Sequence, residues 1–231
     1  MITLEEVNKL VQECFNERGI FHSEADFQHS LAWKIHEKFG KRFKIRLEFV
    51  IGSKHIDIVL IDSSNDKIGI ELKYKTKEIS EEIDGEQYFL KTHSAPDIGR
   101  YDVIKDIERL EELIREDKIK LGFVIFLTND PSYSHKCEGN ACKFSLEEGR
   151  EINGKMDWGR NTGGTKNGRE KTLKLKGKYK INWINGSSIL EKTMFKYFIL
   201  EVYNPDLSKR KVVRYSLGGR EVEKYKNDGN M

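Results

Sequence analysis

The chain has 231 residues, of which 37% are apolar and 34% are charged, and its formal net charge is +3. The apolar content is enough for one sizeable core, but no apolar run approaches the length that crosses a bilayer, so we expect no membrane-spanning segment. Three cysteines are an odd number that does not suit a disulfide framework, and the acidic N-terminus does not suit a signal peptide, so we expect a cytoplasmic protein.

Two amphipathic helices are predicted in the first 40 residues. Each begins with a hydroxyl side chain in the N-cap position, Thr3 in the first helix and Ser23 in the second, and each ends at a glycine. In the second helix Glu24 and Gln28 lie one turn apart, beside the apolar stripe. A first-turn acid can simply complement the helix dipole, and for Glu24 that alternative stays open.

The stretch His55 to Lys75 is organised as two short strands with a polar turn between them. One antiparallel pairing, with Ile58 opposite Ile70, collects the alternating apolar residues of both strands on one face. These residues are Ile56, Ile58, Leu60, Ile68, Ile70 and Leu72. The same pairing sets Asp57 opposite Glu71, with Lys73 beside them, and a slip of one residue would lose both arrangements.

Two carboxylates that face each other across a hairpin repel each other and need a positive partner. Lys73 is one candidate, and a divalent cation is the other. Hard oxygen ligands on rigid strands suit Mg²⁺, with Mn²⁺ as a substitute, because the ion completes its shell with water and substrate oxygens. A metal that polarises a phosphoryl oxygen, together with a lysine that steadies the attacking water, is the outline of a phosphodiester-hydrolysing site.

The elements around this hairpin predict an α/β layer structure. A strand at Phe43–Ile51 precedes the hairpin and completes a meander of three antiparallel strands. The polar, acidic segment 77–96 is expected to form a loop or lid. A helix at Ile98–Asp117 then leads to the apolar strand Leu121–Leu127, which we expect to be buried and parallel to a neighbour.

The segment from Arg150 to Lys180 carries ten basic residues against three acids, so the rest of the chain is slightly acidic. Within it, Leu173–Trp183 alternates apolar residues with lysines and predicts a strand with a lysine face. We expect the segment to contact a nucleic-acid backbone. The candidate residues are Arg160, Lys166, Arg169, Lys174, Lys176 and Lys178. Half-buried strands also carry charged faces that are merely solvated, and that alternative stays open.

Asp57, a turn, and Glu71-Leu72-Lys73 on a strand, after a helix that begins with Glu24, resemble the PD-(D/E)xK, or restriction-endonuclease-like, nuclease superfamily. The resemblance covers about the first 130 residues, in element order as well as in motif. It implies a core of helix, three-stranded meander, helix and further strand in residues 1–131, with a basic, β-rich elaboration in residues 132–231 packed on that core. The residue before Asp57 is isoleucine, where the pattern that names the superfamily has proline.

By position in that pattern, the resemblance implies that Asp57 and Glu71 ligate magnesium and that Lys73 assists the attacking water. Glu24 would complete the metal site, and Gln28 is similar to a polar residue that some members carry one turn later on the same helix.

The expected function is therefore a metal-dependent endonuclease that cuts DNA, in restriction or another defence role. One alternative is a nucleic-acid-binding or assembly module that keeps the fold without cutting, although the retention of all three hairpin residues disfavours it. Another alternative is an RNA-directed nuclease, which would use the same residues. Symmetric cutting of both strands would favour a homodimer.

Overall fold

The computed structural model describes residues 1–137, 141–159, 168–186 and 194–204, together with the backbone at 212–217 and 220–225. Two of the predicted nucleic-acid contacts, Arg160 and Lys166, lie outside the described residues. Among the helices described, none combines the length and apolar character needed to cross a membrane.

Two helices, α1 (Leu4–Arg18) and α2 (Glu24–Phe39), pack together on one side of the molecule. Both predicted N-caps are present, because the Thr3 and Ser23 hydroxyls each accept a hydrogen bond from the backbone N–H three residues later. The second cap fixes where α2 begins and therefore where Glu24, its first residue, is placed.

A third helix and twelve strands complete the part of the chain that the structure describes. In chain order they are β1 (Lys44–Ile51), β2 (Lys54–Ile61), β3 (Lys67–Lys75), β4 (Ile79–Ile83), β5 (Glu86–Leu90), α3 (Pro96–Arg115), β6 (Leu121–Thr128), β7 (Glu151–Met156), β8 (Leu173–Lys180), β9 (Ile184–Asn185), β10 (Lys196–Val202), β11 (Val212–Leu217) and β12 (Arg220–Tyr225).

The described strands form one central sheet and three separate hairpins. The sheet has the order β1-β2-β3-β6-β10-β9, and the hairpins are β4-β5, β7-β8 and β11-β12. Within the sheet β3 and β6 run parallel, and the other neighbours run antiparallel. The fold is thus α/β with a mixed sheet, and the predicted sequence of helix, antiparallel meander, helix and buried parallel strand is present.

The predicted register of β2 and β3 is confirmed where the two strands pair, but the predicted pair of Asp57 and Glu71 lies beyond the end of that ladder. Ile58 lies opposite Ile70, and Leu60 lies opposite Ile68. The pairing of the two strands ends at Ile58 and Ile70, whereas β3 continues along β6 as far as Lys75. The second half of β3 is therefore paired on the β6 side and not by β2.

The prediction that Ile56 shares a face with Ile58 is wrong. Ile56 packs with Val59 in the core on the α3 side of the sheet, whereas Ile58 packs in the core under α1 and α2. The alternation changes at Asp57, where the β1–β2 ladder omits one pair and the opposing residue, Glu48, has a φ of 49°. The pleat is thus irregular at the position where Glu48 and Asp57 oppose each other, and Ile56 and Ile58, on either side of Asp57, lie in different cores.

The segment that follows β3 is also better ordered than expected. The prediction of a loop over residues 77–96 is wrong, because this segment contains the β4-β5 hairpin and the start of α3. Ile79, Tyr88 and Leu90 of the hairpin are buried in the core under α1 and α2. Its turn residues Asp84 and Gly85 both have positive φ, as a two-residue hairpin turn requires.

Carboxylates of α3 hold the β7-β8 hairpin on the outer side of that helix. Glu111 is 2% exposed and accepts hydrogen bonds from the backbone N–H of Lys176 (2.8 Å) and of Gly177 (2.7 Å) and from the Tyr179 hydroxyl (2.8 Å). Glu108 accepts from the backbone of the same strand, one turn earlier on the helix. The edge of β8 is thus satisfied by side chains of α3, and this helix contacts both the hairpin and β6 of the central sheet.

Candidate active site

Two carboxylates occupy the edge of β3 where β2 no longer pairs with it. Beyond Ile70, the backbone N–H groups of Leu72 and Tyr74 have no partner from β2. Asp57 Oδ2 accepts from the Leu72 N–H at 2.6 Å, and Glu24 Oε2 accepts from the Tyr74 N–H at 2.7 Å. An acid from β2 and an acid from α2 therefore take the place of a strand at this edge.

Gln28 fixes the backbone at this point. Its buried side-chain amide donates to the Asp57 carbonyl oxygen at 2.7 Å and to Glu48 Oε1 at 2.7 Å. The prediction placed Gln28 one turn after Glu24, and in the structure Gln28 contacts β1 and β2 whereas Glu24 contacts the edge of β3. Gln28 thus holds the irregular part of β2 that carries the Asp57 carboxylate.

The α3 face of β3 carries the other two predicted residues. Glu71 is fully buried, and its Oε1 lies 2.5 Å from Arg109 Nη1. Lys73 Nζ lies 2.7 Å from Asp106 Oδ2, and Arg109 Nη2 lies 3.0 Å from Asp106 Oδ1. Asp106 and Arg109 are three residues apart on α3, so one surface of that helix supplies the partners of both strand residues.

Asp106 and Arg109 are site residues that sequence reasoning missed. The sequence does contain one signal for Asp106, since it lies within the apolar stripe of α3, next to Ile107 and three residues after Val103. A charged residue on the buried face of a helix needs a partner of opposite charge. The structure provides that partner as Lys73, together with Arg109.

The charged groups of this site perturb one another. Burial raises the pKa of Asp57 to about 6, and the Lys73 ammonium offsets only part of that effect. Burial also raises the pKa of the Glu71 carboxyl, and the negative charges of Asp106 and Asp57 raise it further. Burial disfavours the ammonium form of Lys73, but the surrounding carboxylates, led by Asp106 and Glu24, outweigh it and raise the pKa of Lys73.

The donor set fits a hard divalent cation. Within the described ranges no three Asp, Glu, His or Cys side chains are already gathered around a metal position, because the acids are held by different partners. Glu71 Oε2, however, is buried and has no hydrogen-bond partner among the residues described. An unpaired buried carboxylate oxygen is costly, and carboxylates such as those of Asp57, Glu71 and Glu24 are the ligands that Mg²⁺ prefers.

The basic residues predicted to contact nucleic acid differ in their surroundings. Lys174, Lys176 and Lys178 are exposed along β8, as the alternation predicts, and Lys178 Nζ lies 3.6 Å from a Glu151 oxygen. Arg169 is engaged within the protein, since its Nε and Nη2 lie 2.7 and 2.9 Å from the two carboxylate oxygens of Asp102. A bidentate pair of this kind ties the chain before β8 to α3.

The residues that converge in the candidate site come from α2, β2, β3 and α3. They extend from Glu24 to Arg109, so only the folded structure joins them. The site has to be interpreted from its own geometry and chemistry, since comparisons with protein-family models, with curated proteins and with solved structures find no match to this chain.

Proposed function

We propose that the protein is a metal-dependent nuclease of the PD-(D/E)xK type, with a restriction-endonuclease-like core, that hydrolyses phosphodiester bonds in DNA. The observation that supports this most directly is the position of Asp57, Glu71 and Lys73 where β2 stops pairing with β3, with Glu24 at the same edge. A cluster with only a structural role would pair each buried carboxylate oxygen, whereas Glu71 Oε2 has no partner among the described residues.

Mg²⁺ would be held by Asp57, Glu71 and Glu24, and when bound it would polarise a phosphoryl oxygen and lower the pKa of a bound water. Lys73 Nζ donates to the Leu72 carbonyl at 2.9 Å and contacts Asp106 at 2.7 Å. An ammonium group has three N–H donors, so one donor of Lys73 is left to orient the attacking water or a phosphate oxygen. Asp106 is a positioning residue in this scheme, because it holds the Lys73 side chain in place and stabilises its ammonium form.

Cleavage of plasmid DNA tests the proposal. Wild-type protein with Mg²⁺ is expected to cut, whereas Asp57→Ala, Glu71→Gln and Lys73→Met should each lose activity by about a hundredfold or more, because each removes a ligand charge or the ammonium. Glu81→Gln, which changes an exposed acid of β4, is the matched control and should retain full activity. Cleavage that survives in Glu71→Gln, or in the wild type with a chelator, would contradict the site assignment.

The exposed lysines of β8 support DNA as the partner. Changing Lys174, Lys176 and Lys178 together to Gln should weaken binding on every sequence and reduce the slope of log affinity against log salt by about 2.7, which is about 0.9 for each lost contact to duplex phosphate. The matched control is a triple change of exposed lysines near α1 and α2, namely Lys9, Lys38 and Lys41. An unchanged slope would mean that the lysine face is only solvated. The same titration with RNA of equal sequence separates the two nucleic acids.

A further inference from the structure

A cleft extends from the proposed active site along the end of β3. One cavity of about 400 Å³ is lined by residues that include Glu24, Phe89, Lys75, Lys91 and His93. A second cavity of about 360 Å³ is also lined by Lys75, Lys91 and His93, and it reaches the start of α3. Because three residues line both cavities, the two lie side by side, and the first of them includes the proposed metal ligand Glu24. We refer to the two cavities together as the cleft.

Thr76 fixes the orientation of His93 in this cleft. The Thr76 backbone N–H donates to His93 Nδ1 at 3.0 Å, and the His93 backbone N–H donates to the Thr76 carbonyl at 2.8 Å. Since Nδ1 accepts a hydrogen bond, the proton of the neutral ring is on Nε2. The Thr76 hydroxyl also donates to the Lys91 carbonyl at 2.7 Å, so one buried residue holds both His93 and the neighbouring backbone. His93 is thereby an exposed, fixed N–H donor.

The cleft carries positive charge that the protein does not neutralise. Neither Lys75 nor Lys91 forms an ion pair with any other residue in the part of the chain described. The two acids at the ends of the cleft are already engaged, because Glu24 accepts from the Tyr74 N–H and Asp102 is paired with Arg169. Two lysines and a fixed imidazole N–H therefore remain for an anionic ligand.

Phe89 adds an exposed aromatic surface to the cleft. It is 68% exposed on β5, whereas its neighbours Tyr88 and Leu90 are buried. An aromatic ring beside unpaired cations is the combination with which proteins bind single-stranded nucleic acid, because a base stacks on the ring while the cations contact phosphates. A paired base within a duplex has no free face to offer to such a ring.

We propose that this cleft binds an unpaired nucleic-acid strand next to the proposed cleavage site. A base stacks on Phe89, and the adjoining phosphates contact Lys75, Lys91 and His93. The inference rests on the proposed nuclease function for the position of the cut, and it specifies the substrate as nucleic acid with an unpaired segment.

Binding without cleavage tests the cleft, using the full chain, a chelator and a short fluorescently labelled DNA strand in an anisotropy titration. Phe89→Ala should weaken binding about tenfold, and Phe89→Trp should restore it, because any large aromatic ring offers the stacking surface. Lys75→Gln with Lys91→Gln should weaken binding and reduce the salt slope by about 1.4, which is about 0.7 for each phosphate contact to a single strand. Trp33→Ala, which removes an aromatic ring that is 61% exposed on α2, and the pair Lys9→Gln with Lys41→Gln are the matched controls and should bind as the wild type does.

If Phe89→Ala and the double variant Lys75→Gln with Lys91→Gln both bind the strand with wild-type affinity, the proposal that the cleft binds an unpaired strand is wrong. An equal effect of Phe89→Ala on a blunt duplex would overturn the stacking of an unpaired base. The nuclease proposal fails separately. Binding that depends on Phe89, without cleavage of plasmid or of a duplex that carries an unpaired segment, supports the cleft and removes the nuclease function. Cleavage of these substrates together with normal binding by the variants supports the nuclease function and removes the cleft. A wild-type protein that binds no nucleic acid overturns both.

Discussion

At pH 7 and without metal, the Asp57→Asn protein is expected to be more stable than the wild type, by on the order of 3 kcal/mol. Burial raises the pKa of Asp57 to about 6, above its usual 3.8, so the fold favours the protonated acid. Between those two values the folded protein binds more protons at this site than the unfolded chain does. Stability from this group therefore falls as the pH rises through that range, and the loss is complete above about pH 6. Asparagine avoids the buried charge, and its Oδ1 can still accept from the Leu72 N–H.

Unfolding of the wild type and of Asp57→Asn at pH 7 and pH 4 measures this effect. The difference in unfolding temperature should be several degrees at pH 7 and should become much smaller near pH 4, where the wild-type acid is protonated in the fold. Mg²⁺ should raise the unfolding temperature of the wild type and leave that of the variant nearly unchanged, because a ligand that binds only the folded state stabilises it. The Glu81→Gln control should follow the wild type at both pH values. A variant that is less stable at pH 7 would show that the Asp57 carboxylate has a structural role.

Glu111→Leu is expected to lower the free energy of unfolding by about 3–5 kcal/mol. The substitution removes the acceptor of three donors at once, namely the backbone N–H groups of Lys176 and Gly177 and the Tyr179 hydroxyl. Leucine fills a similar volume, so the loss measures unpaired buried donors more than a cavity.

Urea unfolding of Glu111→Leu beside Glu112→Gln provides the comparison. Glu112 is the next residue on α3, but its ion pair with Lys54 is partly solvated, with side-chain exposures of 31% and 24%. Surface pairs of this kind contribute roughly 1 kcal/mol or less. Equal losses in the two variants would mean that the carboxylate does not hold β8 on the helix.

The antiparallel meander and its register are predictable from the sequence, because alternation with a period of two excludes a slip of one residue, and the polar turn between the strands favours the pairing of Ile58 with Ile70 and of Leu60 with Ile68. The register predicts that Asp57, Glu71 and Lys73 are neighbours, and the structure brings these residues together with Glu24. Asp57 reaches this position beyond the end of the β2–β3 ladder, where it accepts from the Leu72 N–H. Element types are predictable for the same reason, since the helical and strand periods differ clearly in the core of the chain.

The partners of these residues on α3 are less accessible to sequence reasoning. Periodicity shows which face of a helix is buried, but it does not show which turn of the helix lies over which strand, and tertiary packing decides that for Asp106 and Arg109. The same limit applies to Arg169, whose partner Asp102 is 67 residues away in the chain. When the acids that pair with basic residues are distant in the sequence, a cluster of basic residues predicts more phosphate contacts than the folded protein leaves available.

Two errors have local causes. Nothing in the residue type of Glu48 indicates a positive φ. The alternation of β2 changes opposite this β1 residue, at Asp57, and Ile56 lies in the other core. The β4-β5 hairpin consists of two five-residue strands with acidic exposed faces, so its alternation is too short to stand out from a polar loop.

The edge of β3 also limits how this chain can change over evolutionary time. The carboxylates of Asp57 and Glu24 accept hydrogen bonds from two backbone N–H groups of β3. Replacement of either acid by alanine would therefore remove a hydrogen bond to the backbone as well as a charge. Replacement by the corresponding amide keeps an oxygen that can accept this hydrogen bond while it removes the negative charge. Under the proposed nuclease function, a lineage that lost cutting but kept the fold would therefore be expected to pass through Asn at 57, and the raised pKa of Asp57 predicts that this step makes the protein more stable.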